Sequence, residues 1–285
     1  MTLVADSGST KTTWAIVETG NKAVTEGLNP HFTSEEQFLT ACQQALEQLT
    51  IPNALQAVYF YGAGCGLAVQ KKRVAQWLTK AFGTNDVAVE TDMLAACRAT
   101  TGQKPAVVGI LGTGSNACLY DGTAIKYQPT STGYILGDYG SANHVGRMLL
   151  DGYLTHRMPA NVRRLFHDSY KLSNAQLIDA VYHRPNPNRF LASLAPFAVA
   201  HQEEDYCHGI VTEALRQWYF EVIIPLLQSH ARFPFKEWDG AIHVVGGFAK
   251  AIETHLTEKF HDGPLYLASV VSDTIDGLVQ FHRSF

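Results

Sequence analysis

Two short apolar runs, Leu3-Val4-Ala5 and Trp14-Ala15-Ile16-Val17, bracket the hydroxyl-rich segment Asp6-Ser7-Gly8-Ser9-Thr10-Lys11-Thr12, and this arrangement leaves the chain few choices. Apolar runs of that length around small polar residues predict two buried strands joined by a tight turn. Small side chains let backbone N–H groups approach an anion, while Ser9, Thr10 and Thr12 add hydroxyl donors and Lys11 adds a positive charge. A turn of this kind suits phosphate. Asp6 at its mouth would repel phosphate unless a cation stood between them, which implies Mg²⁺ held through its waters together with a nucleotide. An ordinary hairpin with a polar tip uses the same residue types, so the rest of the chain has to discriminate.

Residues 23–28 read as a third strand, and Asn29-Pro30 breaks the pattern before a helix. Ser34 and Gln37 form a capping-box pair ahead of Phe38, Ala41, Cys42, Ala45, Leu46 and Leu49 at helical spacing, until Pro52. Residues 57–61 are a buried strand running into glycine-rich 62–66. Residues 69–82 form an amphipathic helix closed by Gly83, 87–90 a strand ending near Asp92, and 93–100 a helix. After 102–105 the pattern starts again: a strand at 106–111, a second small-residue turn Gly112-Thr113-Gly114-Ser115-Asn116, and strands at 117–120 and 123–127 around Asp121-Gly122. Helical patterns then intervene at 141–157, 174–183, 189–201 and 205 to about 230, the last kinked by Pro225. The sheet pattern resumes at 241–245 and ends in Gly246-Gly247, followed by a helix through Lys259, a strand at 264–268 and a helix from about 272 to 282. Two βββαβαβα lobes facing each other across a nucleotide explain this order better than one doubly wound sheet. The expected division is a first lobe at 1–105, with residues 272–285 packing back on it, and a second at 106–271 with a helical insertion at about 141–240.

At 285 residues the chain is long enough for two cores, and 46% hydrophobic with 17% charged residues is the balance of a soluble globular protein. A net charge of −4, with only short basic groups such as Lys71-Lys72-Arg73, provides no footprint for nucleic acid or anionic membrane, so the expected partners are small molecules. No basic and apolar leader precedes the first strand, which points to the cytoplasm, and no apolar run approaches the roughly 20 residues of a membrane span. Five cysteines without a C-x-x-C pair argue against disulfides, structural zinc or an iron–sulfur cluster. The twelve histidines form no compact ligand set, with His201, His208, His230 and His243 in separate elements. Trp218-Tyr219-Phe220 reads as core rather than partner surface, and a homodimer through the inserted helices stays open.

Taken in order, Asp6 to Thr12, Gly112 to Asn116, Gly137-Asp138-Tyr139-Gly140-Ser141 and Gly246-Gly247 resemble the phosphate, sugar and adenosine motifs of actin/hexokinase-like sugar kinases. The chain is most similar to the N-acetylglucosamine kinase branch of the BadF/BadG/BcrA/BcrD-type ATPases. That resemblance implies an α/β fold of two ribonuclease H-like lobes, with ATP and Mg²⁺ as cofactors. It further implies transfer of the γ-phosphate to the 6-hydroxyl of N-acetylglucosamine or a related amino sugar. Asp6 would hold metal-bound waters, Gly8 to Thr12 and Gly112 to Ser115 the nucleotide phosphates, and Gly246-Gly247 the adenosine, though a tight strand-to-helix turn also uses two glycines. Asp92 matches the catalytic aspartate, the base for the sugar hydroxyl, while an Asp before an apolar helix is also a common N-cap. Asn29, Asn116 and Asp138 match sugar-binding positions and Gly133 lies near that of the acetamido group, while Asn29 before Pro30 equally suits a plain turn. Two positions depart from the family. Ser7 replaces a second glycine and narrows the first loop, and Tyr139 replaces an acidic residue, which leaves N-acetylmuramic acid as an alternative sugar. A nucleotide- or sugar-binding sensor and a partner-activating ATPase are the other readings of the same fold.

Overall fold

Continuous apolar runs in the strands of the first hundred positions produce a sheet buried on both faces. The computed structural model describes residues 1–8, 10–49, 54–230, 238–261 and 265–284, and the chain divides into two compact units. The first comprises Met1–Lys104, Gly122–Ala124 and Asp273–Phe285. Its strands are β1 (Thr2–Ser7), β2 (Lys11–Ile16), β3 (Lys22–Glu26), β4 (Ala57–Gly62) and β5 (Asp86–Thr91), in the order β3-β2-β1-β4-β5. β1 and β2 form an antiparallel hairpin, whereas β1, β4 and β5 run parallel, with Asp6 opposite Tyr61 and Tyr61 opposite Glu90.

Alternate residues of a strand face opposite sides, and the two cores follow that rule. Leu3, Ala5, Trp14, Val58 and Phe60 pack with α1 (Glu35–Gln48) and α2 (Ala68–Phe82). Val4, Ala15 and Tyr61 pack with α3 (Asp92–Thr101) and the C-terminal helix Ile275–Arg283. Trp14 is fully buried between Phe60 and Phe82, at ring distances of 5.9 and 5.7 Å, and donates its indole N–H to Thr25 at 2.9 Å. Burial of each such side chain contributes roughly 1.5–3 kcal/mol. α1 opens on the expected capping box, Ser34 with Gln37, and Gly83 closes α2 at φ +70°. At Gly277 an added Cβ would stand 2.2 Å from the Ala99 carbonyl, so glycine is what lets the C-terminal helix approach α3 this closely.

The second unit, Pro105–Asp121 and Ile125–Ser272, repeats the plan. β6 (Pro105–Leu111), β7 (Ser115–Asp121) and β8 (Ile125–Tyr127) form an antiparallel meander. Next come α4 (Gly133–Leu136), α5 (Ala142–Leu154), α6 (Ala160–Tyr170), α7 (Asn174–Tyr182), α8 (Pro187–Ala192), α9 (Ala195–Ala200), α10 (Asp205–Trp218), a π-helical turn Tyr219–Ile223 and α11 (Ile224–His230). β9 (Ala241–Val245), α12 (Gly247–Ala251), α13 (Glu253–Lys259) and β10 (Tyr266–Val271) complete it, and the sheet order is β10-β9-β6-β7-β8. β9 pairs parallel to β6 and β10 parallel to β9, as β4 does to β1 and β5 to β4, so both sheets share one topology.

Several elements differ from the sequence reading for identifiable reasons. α6 falls in a gap between expected helices because only Val162 and Phe166 of it are buried, too few to give a periodic signal. The expected helix 189–201 is two, α8 and α9, with Pro196 in the first turn of the second. The helix expected through Lys259 breaks at Ile252, and the following strand starts at Tyr266, while Pro52 and Pro264 lie outside the described residues. Pro225 removes an N–H from the long helix, and the chain absorbs the loss in the π-helical turn just before it. Of the Trp218-Tyr219-Phe220 group expected in the core, Trp218 at the end of α10 is fully buried, whereas Phe220 is half exposed. An added Cβ at Gly109 or Gly140 would lie 2.7 or 2.6 Å from Trp218, so both glycines give way to the indole. All five cysteines are buried, and none forms a disulfide. Among the described residues no group of three or more His, Cys, Asp or Glu could hold a metal, and no helix is long and apolar enough to cross a membrane.

Candidate functional site

In the first unit the parallel strands β1, β4 and β5 end together, and the chemistry-bearing residues collect at those ends, the usual ligand edge of such a sheet. Asp6 is the penultimate residue of β1 and stands on the face covered by α3 and the C-terminal helix. Its Oδ2 accepts a hydrogen bond from the Thr274 hydroxyl at 2.6 Å. Burial pushes the Asp6 carboxyl up to about 6; the Thr274 bond opposes this, the charges of Asp92 and Asp273 add to it, and Lys11 opposes it. Asp92 begins α3, but it is not the cap. Thr91 is, its hydroxyl accepting from the Leu94 N–H at 3.2 Å, while Asp92 Oδ1 accepts from the adjacent Met93 N–H at 2.9 Å. Burial raises the Asp92 carboxyl as well, against that bond. Two carboxylates that resist ionisation through burial, one feeling the other, form an oxygen-rich site where a hydrated divalent cation would relieve the charge. The donor chemistry therefore fits Mg²⁺ held through water rather than in a cage of protein ligands.

The turn after β1 is closed by the Gly8 N–H donating to the Lys11 carbonyl at 3.0 Å, and it presents Thr10 and Lys11 to solvent. Ser9 lies outside the described residues. Thr12 requires a correction as a phosphate donor. It is fully buried, its hydroxyl shared with Ser7 at 2.8 Å and with the Glu26 carbonyl at 2.8 Å, so it ties the hairpin to β3. Asn29 builds the turn that its Asn-Pro context allows. Its Oδ1 accepts from the His31 N–H at 3.0 Å and lies against Gly64, where an added Cβ would come within 2.3 Å.

In the second unit the small-residue turn after β6 lies across the start of α5. The Ala142 and Asn143 N–H groups donate to the Gly112 and Thr113 carbonyls, both at 3.0 Å, and the Gly112 N–H donates to the Gly114 carbonyl at 2.9 Å. Gly246, at φ +136°, packs so tightly on this turn that a Cβ would stand 2.3 Å from the Leu111 carbonyl and 3.2 Å from the Gly112 nitrogen; Gly247 has open space. The Ser115 hydroxyl donates to the Tyr139 carbonyl at 2.6 Å, and the Asp138 carboxylate lies against Gly114. The structure thus joins Gly112 to Ser115, Asp138 and Gly246 in one cluster. Asn116 accepts its own neighbour's N–H, from Ala117 at 2.9 Å. Gly133 opens α4, whose Tyr134 and Ile135 carbonyls are held by Arg147 at 2.7 and 3.2 Å; its own carbonyl accepts the N–H of Gly137, next to Asp138, at 2.8 Å.

Sequence reasoning missed Thr274, Asn143 and His144. The signal for Thr274 was present, since Asp273-Thr274 precedes the last apolar helix as Thr91-Asp92 precedes α3. His144 accepts the Gly140 N–H at its Nδ1, at 3.0 Å, so its proton sits on Nε2, and burial pushes the imidazole down to about 4. An unfolded histidine takes its proton near 6.5, so between 6.5 and 4 the unfolded chain binds more protons and acid favours unfolding. His144 therefore contributes fully above pH 6.5 and loses about 2 kcal/mol of that by pH 5. His144→Asn is expected to lower the melting temperature at pH 7.5 yet lose less between pH 7.5 and 5 than the wild type, as followed by circular dichroism. An unchanged pH slope would refute the neutral, accepting imidazole.

Two five-stranded sheets of identical topology, each carrying a small-residue turn at its first hairpin, define the actin/hexokinase-like fold. The sequence pattern of the BadF/BadG/BcrA/BcrD ATPase family matches residues 5–266, and the chain belongs to that family. A candidate N-acetylglucosamine kinase from Porphyromonas gingivalis is similar over 100% of this chain and 99% of its own, with 32% identity and a TM-score of 0.90. A second such candidate, from Chromobacterium violaceum, has 18% identity, 98% coverage of both chains and a TM-score of 0.72. A ROK family glucokinase from Streptomyces griseus, in complex with glucose and AMPPNP, shares the fold at 15% identity over 99% of this chain and 98% of its own, with a TM-score of 0.58. No curated protein matches the chain.

Proposed function

We infer that this protein is an ATP-dependent sugar kinase that transfers the γ-phosphoryl group to the 6-hydroxyl of N-acetylglucosamine or a closely related amino sugar. The observation that carries this reading is Asp92: a half-buried carboxylate just past the end of β5, relieved of capping by Thr91 and electrostatically coupled to Asp6. A raised carboxyl of this kind suits a base that accepts the proton of a sugar alcohol as phosphoryl transfer proceeds. Phosphoryl transfer otherwise asks for positioning and charge stabilisation, which backbone N–H groups at Gly8 and in the Gly112–Ser115 turn, with Lys11, would supply. Mg²⁺ would neutralise charge on the phosphates, and Asp6 would orient its waters. Gly247 would leave room for the nucleoside while Gly246 lets the strand end close on the Gly112 turn, and Asn29, Asn116 and Asp138 would receive sugar hydroxyls. The 32% identity to a candidate N-acetylglucosamine kinase supports the choice of sugar class.

The test is ATP consumption by the purified protein with Mg²⁺ and a panel holding glucose, N-acetylglucosamine, N-acetylmannosamine and N-acetylmuramic acid. Turnover is expected to depend on sugar and to be fastest with N-acetylglucosamine. Preference for N-acetylmuramic acid would move the assignment to that sugar. Equal hydrolysis with and without sugar would replace the kinase with an ATPase, and nucleotide binding without turnover would leave a sensor.

A further inference from the structure

We propose that Asn143 is the positioning residue for Asp138, aiming the carboxylate at one substrate hydroxyl; the inference rests on the sugar-kinase reading of Asp138. Asp138 carries a backbone φ of +53°, a left-handed conformation uncommon outside glycine that the surroundings must hold. Both carboxylate oxygens are fixed. Oδ1 accepts from the Ser115 N–H at 3.2 Å, and Oδ2 accepts from the Asn143 side-chain amide at 2.7 Å. Gly114 closes a third side, since an added Cβ there would lie 2.9 Å from each oxygen. A carboxylate held at both oxygens offers its remaining lone pairs in one direction, which is what choosing among sugar epimers requires.

Asn143 is itself 1% exposed, and its own Oδ1 is buried without a hydrogen-bond partner. An amide that served only to fill space would be replaceable by leucine without an orphaned carbonyl, so its N–H toward Asp138 is the feature retained. Turning the amide over would set its carbonyl against the carboxylate. The same residue donates its backbone N–H to Thr113, at 3.0 Å, so one position sets both the Gly112–Gly114 turn and Asp138.

The experiment compares the full-length wild type with Asp138→Asn, Asn143→Leu and the isosteric Asn143→Asp, using N-acetylglucosamine and Mg²⁺·ATP. Asn143→Leu is expected to raise the sugar KM about tenfold or more, to weaken discrimination against N-acetylmannosamine, and to leave the ATP KM within about twofold. Asn143→Asp places a second carboxylate on Asp138, so its sugar KM should be high at pH 8 and fall toward the wild-type value by pH 6, where the pair shares a proton. A merely structural role would not move that profile, and the isosteric variant carries the test should the leucine variant fold poorly. Wild-type sugar KM and pH profile in both Asn143 variants, with a raised KM in Asp138→Asn, would overturn the assignment. A wild-type sugar KM in Asp138→Asn would instead overturn the sugar-contact reading of Asp138, and an inactive wild type the kinase reading beneath it.

Discussion

Asp92→Asn is expected to lower sugar-dependent ATP consumption by about 10²–10⁴-fold while leaving the sugar KM close to wild type. The substitution keeps the shape of the side chain and its acceptor oxygen for the Met93 N–H, and removes the negative charge together with the ability to take a proton. Because Thr91 holds the helix cap, the variant should fold as the wild type does. It should also be at least as stable, since the carboxylate it removes is one that burial disfavours. Steady-state kinetics together with a melting curve would check both halves. Activity within about threefold of wild type would remove Asp92 from the chemistry, and with it the main support for a kinase.

Asp6→Asn is expected to move stability and activity in opposite directions. A folded-state carboxyl raised to about 6, against 3.8 as the ordinary value, means that ionising Asp6 opposes folding. The cost is complete above pH 6, shrinks as pH falls through 6, and is gone below the unfolded value near 4. Linkage bounds it at about 3 kcal/mol, and partial exposure of the side chain lowers that. An asparagine oxygen can still accept from the Thr274 hydroxyl, so the ligand-free variant should melt a few degrees higher at pH 7.5 and converge on the wild type near pH 4. Turnover should meanwhile fall about a hundredfold or more, and the thermal stabilisation that Mg²⁺·ATP confers on the wild type should largely disappear. A variant that melts lower at pH 7.5, or that keeps the full Mg²⁺·ATP shift, would contradict the reading of Asp6 as the group facing the metal. Residues that store instability in this way are expected where a ligand supplies the missing charge.

Much of this was legible in the residues themselves. Apolar runs around the Asp6–Thr12 turn, the return of the same pattern at 106–127, and the Ser34–Gln37 box are all local signals, and each structural counterpart is where the sequence puts it. Which way a side chain points is a different matter. Thr12 reads as a phosphate donor because a hydroxyl looks the same whether it meets an anion or folds back on Glu26, and only strand register separates the two. Asn143, in the first turn of a helix, has the composition of an ordinary capping segment, and its burial against Asp138 depends on a loop contributed by β6 and β7. Asp92 and Thr91 both suit an N-cap by residue type, and backbone geometry chose the threonine. α6 escaped notice because two buried residues on eleven give no periodicity.

The helix Ile275–Arg283 supplies Ile275, Leu278 and Val279 to the same apolar cluster as Val4 and Ala15, and Thr274 just ahead of it supplies the hydroxyl on Asp6. The half of the molecule that leaves the ribosome first is therefore the half that is finished last. At ordinary elongation rates it waits on the order of ten seconds or more for its closing segment, with one face of its sheet uncovered and the Asp6 carboxylate without its Thr274 partner. The intervening unit has no such debt and can mature during synthesis, so order of translation and order of completion run opposite ways in this chain.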